Sequence, residues 1–278
     1  MMPNNPCRNT RNPILSLLLV LLVAFSMPSL AAPSGQSVRS LLELSGISKQ
    51  IAEFPGAMKQ GFAQASQQGQ IPADLASQLQ QQIDVSLNDQ RMLAGIEKSV
   101  QQKMTEEEVN KLLSWYRSET GRLITAEEEK ASEPAAQQEM MSQARQLMQD
   151  TPRVKMAQRI NQAAGVTDIT VEMQKQVSVA IFASLSRAMQ PEQEPDLAGF
   201  KSQLNQVEPQ LRQQMDQIVT LALVYTYRNL QPETIQAYEN FLIQPATKKF
   251  NRTVMMSISE SIEKVVLQWA ANMSVAAR

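Results

Sequence analysis

Leu93-Ala94-Gly95-Ile96-Glu97-Lys98-Ser99-Val100-Gln101-Gln102-Lys103-Met104 runs directly into Thr105-Glu106-Glu107-Glu108. Leu93, Ile96, Val100 and Met104 recur at intervals of three, four and four, which lays them along one side of a helix. Thr105 then opens a capping box: its hydroxyl can accept from the Glu108 amide while the Glu108 carboxylate reaches back to the amide of Thr105. The three acids also suit the positive end of the helix that follows, which gives them an architectural role rather than a catalytic one. Around this stretch Gln, Ala, Leu, Met, Glu and Ser dominate, and no segment alternates apolar and polar residues over a strand's length. The chain reads as all-α.

Working outward, the same plan is read twice. A helix near Ser37–Ser45 breaks at Gly46 and restarts behind Ser48; another, near Arg153–Ala164, breaks at Gly165 and restarts behind Thr167. Ile47, Glu53, Phe54, Met58 and Phe62 pair with Val166, Glu172, Met173, Val177 and Ile181 at a constant offset of 119. A short helix opening on Pro72 and Asp74, or Pro195 and Asp196, follows in each half. Longer helices come next, about Leu87–Lys103 and Pro209–Asn229. Val219, Ala222, Thr226 and Leu230 match the Leu93 stripe at an offset of 126. Each half closes on a long amphipathic helix; the second begins at Pro245 and carries Phe250, Val254, Ile258, Ile262, Val265 or Val266, Trp269 and Met273. Gene duplication with drift explains the match. The expected organisation is two related helical bundles of about six helices each, over residues 37–149 and 152–275, joined at Gln149-Asp150-Thr151-Pro152.

Residues 1–31 have the features of a secretory leader. Arg8 and Arg11 supply a basic start, Ile14–Phe25 an apolar run, and Ser29-Leu30-Ala31 the small residues at a cleavage site after Ala31. As a helix the apolar run spans about 18 Å, short of a roughly 30 Å hydrocarbon layer. Cys7 precedes the run, so the exported portion contains no cysteine, and the sequence has no histidine. A sizeable exported chain without disulfides fits a Gram-negative periplasm. Without Arg8 and Arg11, 24 basic residues face 27 acidic ones, a net charge of about −3 with no cationic stripe, which argues against nucleic acid. Beyond the leader the longest apolar segment, Ile218–Tyr225, is far below spanning length. The exported chain is expected to be soluble.

Catalytic patterns occur only as fragments. Ser261-Ile262-Glu263-Lys264 fits S-x-x-K without its companion motifs. Gly56–Gly61 has P-loop glycine spacing, yet Phe62 and Ala63 stand where Lys and Ser or Thr belong. Zinc and di-iron sites need the absent His and Cys, and Glu127-Glu128-Glu129 points around a helix instead of converging on a cation. No catalytic, metal-binding or cofactor-binding residue is assigned, and no cofactor is expected. The methionines read chiefly as gap-fillers in helical packing. Tyr225 and Tyr227 point about 200° apart on a helix, so at most one is expected on a given face.

Trp115-Tyr116-Arg117-Ser118-Glu119-Thr120-Gly121-Arg122-Leu123, behind the Thr105 cap, resembles a family of exported bacterial helical domains of unknown function. The similarity covers roughly Ser37–Met148 and, more weakly, Arg153–Met273. It departs at Thr120, where the family pattern has proline or glutamate. The second copy reads Phe241-Leu242-Ile243-Gln244-Pro245-Ala246-Thr247-Lys248, replacing Tyr116, Ser118 and Gly121. The resemblance implies an exported helical fold and no established activity. Trp115, Tyr116, Ser118 and Gly121 stand as a ligand or packing motif, with a helix junction the favoured reading.

These observations favour a periplasmic binding or interaction module with an apolar groove for a lipid or an envelope protein. A hydrolase built on carboxylates or serine, and a client-holding chaperone, are the alternatives.

Overall fold

The computed structural model describes residues 31–190 and 192–276, so the expected leader, apart from Ala31, lies outside the described residues. These fold into twelve α-helices with no strand. In chain order they are α1 (Gly35–Leu44), α2 (Ile47–Gln67), α3 (Ala73–Ser86), α4 (Asp89–Lys103), α5 (Glu106–Arg117), α6 (Glu119–Ala131), α7 (Pro134–Gln149), α8 (Thr151–Ala164), α9 (Val166–Met189), α10 (Leu197–Thr226), α11 (Pro232–Leu242) and α12 (Pro245–Ala276). The fold is all-α.

Local chemistry sets most boundaries. Thr105 and Glu108 form the expected reciprocal cap at the start of α5. The Glu106 carboxylate accepts from the Ser34 amide and the Ser37 hydroxyl, both at 2.8 Å, and ties the start of α1 to the start of α5. Gly46 and Gly165, at φ +75° and +69°, make the left-handed turns between α1 and α2 and between α8 and α9. The helices behind them begin at once on Ile47 and Val166, so Ser48 and Thr167 are helical residues and not the N-caps expected.

Two boundaries differ from the sequence-based expectation, and proline explains one of them. Pro134 starts a new helix where a single closing helix was anticipated, splitting α6 from α7. Pro209, expected to begin a helix, instead lies inside α10. There it removes one helical hydrogen bond, and flanking packing against α8 and α9 holds the helix through it. Seven helices therefore precede Thr151 and five begin from it, instead of six and six.

Packing is not partitioned along the chain. The first apolar core takes Val38, Leu41 and Leu42 from α1, Ile96 and Val100 from α4, and Val109 and Leu112 from α5. It also takes Ala246, Phe250, Val254 and Val265 from the distant α12. The second core takes Met156, Ala157 and Ile160 from α8, Val224 from α10 and Ile235 and Leu242 from α11, together with Ile124 from α6. Phe250 and Ile124 are almost fully buried, and they stand 126 positions apart in the sequence. Each half thus shares in the other's closing helix: α12 packs on α3, α4 and α5 as well as on α9, while α6 packs on α10 and α11 as well as on α5. Full burial of side chains of this size stabilises by roughly 1.5–3 kcal/mol each, so neither core is complete without the other half.

Candidate functional site

The Trp115 motif lies where the halves meet. Trp115 closes α5 and stacks on Phe241 of α11, with ring centroids 4.4 Å apart and planes 8° from parallel. Tyr116 meets the same ring edge-on at 5.5 Å. Ser118 serves two helices at once: its hydroxyl donates to the Trp115 carbonyl at 2.6 Å, ending α5, and accepts from the Gly121 amide at 3.0 Å, starting α6. A Cβ at residue 121 would run into the Trp115 carbonyl oxygen, so this tight corner requires glycine. The four residues are brought together as a helix junction pressed against the second half.

Beside that junction lies a polar cluster that sequence reasoning missed. Glu128 of α6 accepts from the Tyr227 hydroxyl at 2.6 Å and the Tyr238 hydroxyl at 2.8 Å. Burial raises its carboxyl above the usual carboxylate range, against the two tyrosines, whose hydrogen bonds lower it. Burial and then the Glu128 charge push the hydroxyl of Tyr227 well above its ordinary value. The neighbouring acids splay outward as expected, Glu127 to Lys130 at 2.6 Å and Glu129 to Lys49 at 3.5 Å. Tyr225, pointing away from Tyr227, donates to Glu139 at 2.6 Å while the Arg228 guanidinium lies 3.7 Å over its ring. Both tyrosines are buried, on different faces and with different acids. One signal for Glu128 was available: it stands 126 positions before Val254, a core position of the second closing helix.

The Glu128 cluster has little room for chemistry. The cleft above it, lined by Gly46, Lys49, Thr125 and Ser132, measures about 20 Å³, about the space of one water. Three larger clefts open elsewhere among the described residues. One of about 470 Å³ surrounds the Gly165 turn. Several of its polar groups satisfy one another: the Asn161 side-chain amide donates to Thr167 and to Asp216, each at 2.8 Å, and its oxygen accepts from the Thr167 amide at 2.9 Å. Arg212 there pairs with Asp168 and Glu208. A second, of about 250 Å³, lies between α8 and α11 around Met156 and Ile235 and is crossed by the Arg159–Glu239 ion pair.

The third, of about 290 Å³, lies between α9, α10 and α12 and is lined by Glu172, Lys175, Gln176, Val179, Lys201, Leu204, Asn205 and Glu263. Lys175 is engaged by Glu208 at 2.7 Å. Lys201 on α10 and Glu263 on α12 have no ion-pair or hydrogen-bond partner among the described residues. The Gln176 side-chain oxygen is buried with no donor. A buried polar atom without a partner, the Gln176 oxygen, sets this cleft apart from the 470 Å³ one, and with two apolar side chains in its lining it is the candidate binding site. The 470 and 290 Å³ clefts are lined chiefly by polar and charged residues, and the 250 Å³ cleft equally by polar and apolar ones, where an apolar groove was expected. Met92, Met104 and Met156 are in the cores, while Met141, Met148 and Met256 are exposed.

The catalytic fragments fall on ordinary helices. Ser261 donates to the Ser257 carbonyl one turn back on α12, and Gly56 to Gly61 lie within α2. No three Asp, Glu, His or Cys side chains gather in a metal-binding arrangement among the described residues. Nor is any described helix long and apolar enough to cross a membrane.

Residues 90–150, from α4 through α7, match a bacterial family described as "Uncharacterized protein conserved in bacteria (DUF2059)". This segment is therefore similar to a bacterial domain of unknown function, and it contains the Thr105 cap, the Trp115 motif and Glu128. No curated protein and no solved structure matches the chain.

Proposed function

We propose that this chain is an exported periplasmic binding module, made of two diverged copies of one helical unit, that holds a small ligand between α9, α10 and α12. The observation that carries the reading is the 290 Å³ cleft with its unpaired Lys201, Glu263 and Gln176 oxygen. Lys201 and Glu263 face solvent, and a ligand that bridged them would gain charge-assisted hydrogen bonds that neither makes with another described residue. The volume is at the low end of small-molecule sites. The two-copy reading is supported by the matching left-handed glycines at 46 and 165 and by the reciprocal placement of Ile124 and Phe250. The stacking of Trp115 on Phe241 supports it too: these residues, at equivalent places 126 apart, meet as residues beside a two-fold axis would.

Native mass spectrometry of protein purified from envelope extract tests the binding reading. A retained small-molecule adduct, lost on introducing Lys201→Ala, is the expected result; a bare mass from gently handled extract, with no thermal shift across a small-metabolite panel, would overturn it. The same spectrum tests export, since the polypeptide should begin at Ala32.

A further inference from the structure

We propose that the ligand of the α9–α10–α12 cleft is a short peptide with a free carboxylate and apolar side chains; this rests on the binding reading above. The groups left unsatisfied in the cleft specify complementary chemistry. Lys201 is a cation with no carboxylate, and Lys175, already held by Glu208 at 2.7 Å and with Glu172 at 4.0 Å, does not compete for one. Glu263, across the cleft on α12, is an anion with no cation. The Gln176 oxygen, beneath the lining, is a buried acceptor without a donor, its own amide nitrogen being spent on Ser259 and Glu172. Val179 and Leu204 supply apolar surface. A peptide has each complement: a carboxylate for Lys201, an ammonium for Glu263 and a side chain for the apolar wall. A fatty acid would meet Lys201 and the wall but would leave Glu263 unpaired.

The other half of the chain argues that the opening is a built feature. The pairing of α9 with α10 corresponds to that of α2 with α3, and there Leu75, Leu79 and Ile83 enter the first core. Where one half closes this helix pair with leucine and isoleucine, the other offers Lys201, Leu204 and Asn205 and stays open.

Isothermal titration of the full exported chain with Leu-Leu, Leu-Leu amide and decanoate tests the assignment. Leu-Leu should bind at one site. Removing its carboxylate as the amide, or introducing Lys201→Ala, should each weaken binding at least tenfold, and Glu263→Gln should weaken it several-fold. Both positions are exposed, so melting curves of the two variants should match the parent and show that any loss is local. Decanoate binding with Leu-Leu silent would overturn the peptide assignment and leave the binding module standing. Equal binding of Leu-Leu and its amide, or of the parent and Lys201→Ala, would also overturn the assignment. If neither probe binds but native mass spectrometry detects a different adduct, the peptide reading alone fails; if no adduct is found either, both readings fail.

Discussion

Gly121 and Glu128 make opposite demands on their surroundings, and each can be tested by a single change. At Gly121 any side chain meets the Trp115 carbonyl, which is main chain and cannot swing aside. Gly121→Ala should cost on the order of 1–3 kcal/mol, as overpacking does, read as a lower urea midpoint with an unchanged slope. At Glu128, burial raises the carboxyl above its unfolded value, so the folded chain holds that proton more tightly than the unfolded chain. The contribution is complete below the unfolded value and is lost as pH rises through the folded one. Glu128→Gln, neutral at every pH, should therefore gain stability relative to the parent between pH 4.5 and pH 7.5; urea titrations giving a constant difference would refute the buried-acid account. Glu108 should behave oppositely. Burial alone would raise its carboxyl, but Lys249 and the Thr105 amide together lower it, so its contribution is present above the unfolded value and lost as pH falls.

At the scale of the helix, the sequence was most legible where the signal was local. The Thr105 box, the Gly46 and Gly165 breaks and the proline start at Pro245 are all set by residues within one turn of the boundary. Thr105→Ala should cost about 1 kcal/mol, the usual worth of such a cap, seen as faster amide exchange over the first turn of α5. Pro209 was misread for the complementary reason. A proline suits a first turn, but the packing of α8 and α9 against α10 decides whether the helix carries on through it, and no window of sequence contains that packing. The cleft was invisible for the same reason, since Lys201 and Glu263 are ordinary surface residues until α10 and α12 bring them to either side of α9. Pro209→Ala restores a helical hydrogen bond and should raise the melting temperature.

Across the whole molecule, the exchange of closing helices makes an unusual forecast about distant effects. Phe250 is a residue of the last helix, yet its neighbours are in the first core. Phe250→Ala should cost about 3–5 kcal/mol and accelerate hydrogen exchange in α1, α4 and α5 more than in α8. Ile124→Ala should do the reverse, loosening α8 and α11. If each variant loosened mainly its own half, the interlocked arrangement would be wrong. The periodic stripes announced which residues would be buried, as Ile96 and Phe250 illustrate, but a stripe carries no address for the surface that covers it. A consequence follows for biogenesis. A polypeptide synthesised from its amino end delivers α1 to α5 long before α12 emerges, so its leading lobe must wait with an open seam until the last segment arrives.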